Sequence, residues 1–106
     1  MAVILEVQAG PLAGKQVTVL VGQAVSVGRA AKRANVAFPD DTFMSSLHFA
    51  VECSPQRSRV IDQKSANGTF LNGAKIAEAT LSSGDQIRAG QTVFAVRFVA
   101  DEKLAG

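Results

Sequence analysis

Tryptophan and tyrosine are absent from this chain, and cysteine occurs once, at Cys53. A lone cysteine excludes an internal disulfide and a cysteine-rich zinc site, so neither cross-link is available to hold the fold together. Cys53 alternates with Phe49 and Val51, which indicates a buried strand residue rather than a reactive thiol. Six phenylalanines supply all of the aromatic side chains, and most of them read as core residues.

Long apolar runs and a strong charge of one sign are also lacking. No apolar stretch is long enough to cross a bilayer, and the first residues carry no basic group before Glu6, unlike a signal peptide. The net charge is only +2, which by itself marks neither a nucleic-acid binder nor a membrane binder. We therefore expect a cytoplasmic chain without membrane insertion, and neither a metal nor a cofactor.

What the sequence does contain is a series of short apolar stretches separated by turn residues. With 106 residues, 47% of them hydrophobic, the chain suffices for one domain with a real core. Alternating or β-branched patterns predict strands, whereas no helical period is sustained beyond one or two turns. This favours an all-β fold, a sandwich or a small barrel. The predicted strands cover residues 2–7, 17–21, 24–27, 35–38, 49–53, 59–62, 69–71 and 92–99.

We expect the folded domain to span residues 1–100. Residues 101–106 are polar and small, which fits either a frayed end or the start of a linker in a larger multidomain protein. Within the domain, two long loops stand out, at residues 29–48 and 63–67, and loops of that length in a small domain usually have a function.

The first long loop begins with a basic cluster and ends with a serine and a histidine. Arg29 is followed by Lys32 and Arg33, a pattern that also fits a simple solvated turn. Ser45 and His48 invite a hydrolase interpretation, with Asp40 or Asp41 nominally as the acid. There is, however, no Gly-x-Ser-x-Gly elbow and no helix start to build an oxyanion hole. We therefore expect no catalytic residues and assign His48 to tying down a loop.

The segment from Ser65 to Gly73 is the densest in turn signals. Asn67-Gly68 and Asn72-Gly73 flank the short predicted strand 69–71, and Asn-Gly is the standard pair where φ must be positive. Both pairs are therefore predicted to form tight turns. An asparagine side chain also donates to and accepts from a peptide backbone, so Asn67 is a candidate for both roles.

These motifs together resemble the forkhead-associated (FHA) domain. The resemblance rests on four motifs in register, and it covers roughly residues 5–99. They are Gly28-Arg29, Ser45-x-x-His48, Ser65-x-Asn67-Gly68-Thr69-Phe70-x-Asn72-Gly73 and Leu81-x-x-Gly84-Asp85-x-Ile87. The family is an antiparallel β-sandwich (FHA/SMAD-like) that recognises phosphothreonine peptides with loops at one end. The resemblance therefore implies a phosphothreonine-binding module, an adaptor in Ser/Thr-kinase signalling and no enzyme.

The resemblance also implies roles for individual residues. Arg29 matches the phosphate-binding arginine and Ser45 the serine whose hydroxyl donates to phosphate. Ser46 falls where the family often has Arg or Asn, and its hydroxyl or N–H remains a donor. Asn67 matches the asparagine that holds the main chain of the ligand. Residues expected to support the loops are Gly28, His48, Gly68, Thr69 and Asn72.

Two departures from the family pattern bear on phosphate affinity. Ser46 lacks the charge of an arginine, and Ala66 has no side-chain donor where some members have Thr or Ser. Lys32, Arg33 and Lys64 are peripheral cations that would compensate if the loops bring them close. The departures leave open an alternative, a phosphate-independent interaction module on the same fold. Nucleic-acid binding is less favoured, since stacking aromatic residues are scarce.

Overall fold

A computed structural model describes residues 1–100, and all of their regular structure is β-strand. The expected C-terminal tail, residues 101–106, lies outside the described residues. The strands are β1 (Ala2–Ala9), β2 (Gln16–Leu20), β3 (Ala24–Gly28), β4 (Val36–Ala37), β5 (Phe49–Cys53), β6 (Ser58–Asp62), β7 (Thr69–Leu71), β8 (Ala74–Ile76), β9 (Glu78–Leu81), β10 (Gln86–Ala89) and β11 (Thr92–Val99).

The strands form two sheets packed face to face. One sheet has the order β2-β1-β11-β10-β7-β8 and the other the order β4-β3-β5-β6-β9. Every pairing is antiparallel except that of β3 with the two-residue β4. The predicted antiparallel β-sandwich is therefore confirmed. Within residues 1–100 no helix is long and apolar enough to cross a membrane, and no cluster of three His, Cys, Asp or Glu side chains is arranged to hold a metal.

The alternation of buried and solvent-facing residues explains why these segments are strands. Along β5, Phe49, Val51 and Cys53 are buried, whereas the intervening residues are only partly so. Along β11, Thr92, Phe94 and Val96 are buried, whereas Val93 and Ala95 are only partly so. A period of two places every second side chain on the core face of its sheet. The prediction that Cys53 is a buried strand residue is confirmed.

Three phenylalanines join the two sheets and one loop in the middle of the core. Phe94 of the first sheet lies edge-to-face against Phe49 of the second, with ring centroids 5.4 Å apart. Phe38, which follows β4, packs against Phe94 in the same manner at 5.5 Å. All three rings are fully buried. The loop after β4 therefore starts from a fixed point in the core.

The structure differs from the sequence-based expectations between residues 67 and 81. Asn72 and Gly73 form the expected two-residue hairpin turn between β7 and β8, with φ of +50° and +86°. The predicted tight turn at Asn67-Gly68 is wrong, because only Gly68 has a positive φ and the chain there passes from one sheet to the other. Strands β8 and β9 were not predicted, since they are only three and four residues long and mostly exposed.

We predict that Phe94→Ala lowers the free energy of unfolding by about 3–5 kcal/mol, because it removes the ring that contacts both Phe38 and Phe49. Urea denaturation followed by circular dichroism measures the change. The matched control is Phe43→Ala, since the Phe43 side chain is 55% exposed; it should change stability by less than about 0.5 kcal/mol. Equal effects of the two substitutions would contradict the central position of Phe94.

Candidate functional site

Three loops meet at one end of the sandwich. They are the β3–β4 loop (residues 29–35), the β4–β5 loop (residues 38–48) and the β6–β7 loop (residues 63–68). The Arg29 N–H donates to the Ser45 carbonyl at 2.9 Å, and the Ala66 N–H donates to the Ser45 hydroxyl oxygen at 2.9 Å. Asn67 Nδ2 donates to the Phe43 carbonyl at 3.0 Å. Ser45 is therefore the residue at which all three loops join.

Gly28 sets the contact between the first two loops. A Cβ atom at this position would overlap the backbone carbonyl of Ser46 and the Cα of Leu47. Because these are backbone atoms, no side-chain movement relieves the overlap. Glycine at the end of β3 thus permits the close approach of the β4–β5 loop, and the approach places Arg29 beside Ser45.

The His48 side chain connects the β4–β5 loop to the β6–β7 loop from the core side. Its side chain is fully buried. The Ser45 N–H donates to Nδ1 at 2.9 Å, and Nε2 lies 2.9 Å from the Gly68 carbonyl. Since a backbone N–H only donates and a carbonyl only accepts, the ring proton sits on Nε2. Both ring nitrogens are thus used to hold backbone groups.

The same hydrogen bonds bear on the hydrolase interpretation. Neither nitrogen of His48 is left to accept the proton of the Ser45 hydroxyl, because each is engaged by a backbone group. A serine nucleophile requires a base within hydrogen-bond reach of its oxygen. The pair Ser45 and His48 therefore lacks the geometry of a catalytic dyad.

Asp62, at the end of β6, organises the β6–β7 loop. Its carboxylate accepts the Ser65 hydroxyl at 2.5 Å, the Ser65 N–H at 3.2 Å and the Thr69 hydroxyl at 2.7 Å. Ser65 Oγ in turn accepts the Gly68 N–H at 3.0 Å. Partial burial acts to raise the pKa of Asp62, but the hydrogen bonds from Ser65 and Thr69 outweigh it and lower the pKa below its ordinary value.

A second carboxylate, Asp41, fixes the β4–β5 loop against the turn between β10 and β11. It is fully buried and accepts the Phe43 N–H at 3.1 Å, the Gln91 N–H at 2.9 Å and the Thr92 hydroxyl at 2.7 Å. A buried carboxylate is tolerated when several donors satisfy it. The Phe43 carbonyl, which binds Asn67, is held in place through this contact.

Near these anchors, several donors face outward and have no acceptor within the part of the chain that the structure describes. Arg29 is exposed, and its guanidinium forms no ion pair within residues 1–100. The Ser45 hydroxyl accepts from Ala66 but makes no donated bond there. Ser46 uses its carbonyl, which accepts the Ala30 N–H at 3.2 Å. The arrangement therefore offers one fixed positive charge and hydroxyl donors to an incoming anion.

The peripheral cations and Asn72, which the sequence also singled out, lie at different places around the loops. Lys32 and Arg33 are exposed in a turn closed by hydrogen bonds to the Ala30 carbonyl. Lys64 is exposed in the β6–β7 loop with a left-handed φ of +57°. Asn72 lies at the far end of β7 from Gly68, where its amide holds the turn before β10 through Asp85 and the Gln86 N–H. The structure does not bring Asn72 to the meeting point of the three loops.

Sequence reasoning missed several residues that line this end of the molecule. A cavity of about 220 Å³ beside Asn67 is lined by Phe43, Gly68, Phe70, Arg88 and Gly90. Asp41 and Asp62 were likewise not identified as anchors. The partners Gln91 and Thr92 of Asp41 are distant in sequence, whereas Ser65 and Thr69 lie only three and seven residues from Asp62. A larger cavity of about 560 Å³ surrounds Glu52 and Arg59 near the β5–β6 turn, at the opposite end of β5 from His48.

Comparison with known proteins gives a consistent result. The FHA domain family model matches residues 25–90. The glycogen accumulation regulator GarA of Mycobacterium tuberculosis is 30% identical over 88 residues, which cover 83% of this chain and 52% of GarA. The chain therefore spans about half the length of the curated relatives that it matches.

Solved structures agree with the family match. A chain from a structural and functional analysis of phosphothreonine-dependent FHA domain interactions has a TM-score of 0.82 and 30% identity, covering 94% of this chain and 99% of that chain. The FHA domain of FhaA, complexed with the intracellular domain of Rv3910, has a TM-score of 0.77 and 32% identity, covering 90% of this chain and 99% of that chain.

We predict that Asp62→Asn lowers the free energy of unfolding at pH 7 by about 1–3 kcal/mol, because an amide cannot accept all the hydrogen bonds from Ser65 and Thr69. The folded-state pKa of Asp62 is lowered, so the ionised carboxylate stabilises the fold above its unfolded pKa of about 3.9. That contribution is lost as pH falls through the folded-state pKa. The difference between the two proteins should therefore shrink below about pH 4.

Urea denaturation from pH 7 down to pH 3 measures this difference. The control is Asp40→Asn, since Asp40 is exposed and forms no ion pair within residues 1–100. A difference between wild type and Asp62→Asn that is independent of pH would argue against a role for the ionised carboxylate.

Proposed function

This chain belongs to the FHA domain family, and we propose that it binds phosphothreonine in a partner protein and serves as an adaptor in Ser/Thr-kinase signalling. FHA domains are interaction modules rather than enzymes. The observation that carries the proposal is the junction at Ser45. The Ser45 backbone N–H donates to His48 and its hydroxyl oxygen accepts from Ala66, so the hydroxyl proton is left to donate to a ligand. Arg29 lies next to it, because the Arg29 N–H donates to the Ser45 carbonyl.

The chemistry of a phosphorylated threonine matches these donors. The phosphate brings a charge of about −1.5 to −2 and three strong acceptor oxygens. The guanidinium of Arg29 would donate two parallel bonds to two of these oxygens. The hydroxyls of Ser45 and Ser46 would complete the set. Because no carboxylate forms an ion pair with Arg29 within residues 1–100, its charge is available to the ligand.

Asn67 is proposed to hold the main chain of the ligand beside the phosphothreonine. Its amide has both a donor and an acceptor, and its Nδ2 now donates to the Phe43 carbonyl. A ligand main chain that bonds to Asn67 would use the amide oxygen or the second N–H of Nδ2, or would replace the Phe43 carbonyl. The loop-supporting residues Gly28, His48, Gly68 and Thr69 are proposed to act on affinity only through the positions of Ser45 and Asn67.

The alternative of phosphate-independent binding is motivated by Ser46 and Ala66. The Ala66 N–H is already bound to Ser45, so this residue supplies no donor from its side chain or its backbone. Fewer donors around the phosphate would weaken its contribution to binding. Equal affinity for phosphorylated and plain segments would then be expected.

We expect Arg29→Ala to weaken binding of a phosphothreonine peptide by about 10- to 100-fold, because charge-assisted bonds to phosphate are worth about 1.5–3 kcal/mol. Arg29→Lys should give an intermediate loss, since lysine keeps the charge but not the paired geometry. A degenerate phosphothreonine library, its phosphoserine counterpart and its plain twin are titrated by fluorescence polarisation.

Arg57→Ala provides the matched control, because Arg57 is exposed in the β5–β6 turn, away from the three loops. It should bind as wild type does, and all variants should unfold at the wild-type urea concentration. Binding that is indifferent to phosphorylation, or to the loss of Arg29, would refute the proposal and favour the phosphate-independent module.

A further inference from the structure

Two cations and one aromatic ring form a row on the outward face of the six-stranded sheet. Arg88 of β10 is the cross-strand partner of Phe70 in β7, and Phe70 is the partner of Lys75 in β8. The guanidinium carbon of Arg88 lies 4.3 Å from the centroid of the Phe70 ring, within the range of a cation–π contact. We call Arg88, Phe70 and Lys75 the basic row.

The basic row adjoins the candidate site directly. The aliphatic part of Lys75 lies over Gly68, since a Cβ atom on Gly68 would come within 2.6 Å of Lys75 Cε. Arg88 and Phe70 line the cavity of about 220 Å³, together with Phe43 and Asn67. A ligand main chain held by Asn67 would therefore run past the two cations.

No carboxylate within residues 1–100 neutralises the positive charge of the row. Arg59, on the other sheet, is held between Glu52 and Glu78 at 2.7 and 2.6 Å. In the described part of the chain, by contrast, neither Arg88 nor Lys75 forms an ion pair. Two unneutralised cations on the strands that flank β7 on either side favour the approach of a negatively charged group.

We propose that the basic row binds an acidic side chain, Asp or Glu, in the segment that flanks the phosphothreonine. The proposal rests on the proposed phosphopeptide function and specifies which partner sequences that function selects. Arg88 is positioned to donate to the carboxylate because its guanidinium lies over the Phe70 ring and forms no hydrogen bond or ion pair within residues 1–100, so its N–H groups are left for a ligand. Lys75 adds a second positive charge across the ring.

Single-stranded nucleic acid is the competing ligand for a basic and aromatic surface. Such surfaces usually present open aromatic faces on which bases stack. Here Arg88 covers one face of the Phe70 ring, so Phe43, which is 55% exposed, is the only large aromatic ring exposed beside the row within residues 1–100. The row is thus better suited to a carboxylate than to a base.

The experiment walks a single glutamate through every position on both sides of the phosphothreonine in an otherwise neutral peptide. For wild-type protein, glutamate at one or two adjacent positions should tighten binding about three- to tenfold, the effect of one partly shielded ion pair. Arg88→Gln should abolish this gain and Lys75→Gln should reduce it. The gain should also decrease as the salt concentration rises.

Arg97→Gln is the matched control. Arg97 is also exposed on this sheet, but it lies four residues along β11 from Val93, the partner of Arg88. It should retain the full glutamate gain, and every variant should bind the neutral phosphopeptide as wild type does, within about twofold.

The outcomes separate this inference from the proposed function. Phosphate-dependent binding without a glutamate gain at any position overturns the basic row and leaves the phosphothreonine site standing. The absence of phosphate-dependent binding for every peptide overturns both. Competition by a single-stranded oligonucleotide that depends on Arg88 and Lys75, but not on Arg97, overturns the acidic-residue assignment in favour of nucleic acid.

Discussion

The candidate site depends on the buried imidazole of His48. Its two ring nitrogens bind the backbone of the β4–β5 and β6–β7 loops, while its own N–H donates to Val27 of β3 and its carbonyl accepts from Gln63. One residue therefore links a core strand and both loops. Removing the ring would leave buried backbone groups without partners, at a cost of about 1–3 kcal/mol for each group. Loops that are otherwise irregular are in this way fixed relative to the sheets.

In this arrangement one set of residues holds the loops in place and another set is left to contact a ligand. Asp41 and Asp62 accept hydrogen bonds from within the loops, and Gly28 allows the loops to pack closely. These residues satisfy the internal donors, and within residues 1–100 the side chains of Arg29 and Ser46 have no hydrogen-bond or ion-pair partner. The same anchors that keep the loops in place thus keep the outward donors available, and a preorganised site loses less entropy when a ligand binds.

The sequence predicted features that depend on neighbouring residues better than features that depend on residues far apart in the chain. Strands β5, β7 and β11 were predicted with the observed bounds, because alternation and Asn-Gly turns are local signals. The pairing of Phe70 with Lys75 also follows from the Asn72-Gly73 hairpin, although its relation to the loops does not. The role of Asp41, and the approach of Arg88 to Phe70, depend on contacts between segments distant in sequence, which no local pattern encodes. The partners of Asp62 lie within seven residues of it, so its role was open to local reasoning and was missed. The tight turn at Asn67-Gly68 was wrong because the same pair also serves a crossing between sheets.

The hydrogen bond from Asn67 to the Phe43 carbonyl affects how strongly peptide binding would depend on phosphorylation. A peptide main chain that displaces the Phe43 carbonyl from Asn67 replaces one bond with another and gains little free energy by doing so, whereas a phosphate would meet donors that have no protein partner within residues 1–100. Most of the free energy of binding would then come from one removable chemical group, the phosphate. A kinase and a phosphatase would set the occupancy of the domain between them, and the peptide backbone would mainly fix the direction in which the partner lies.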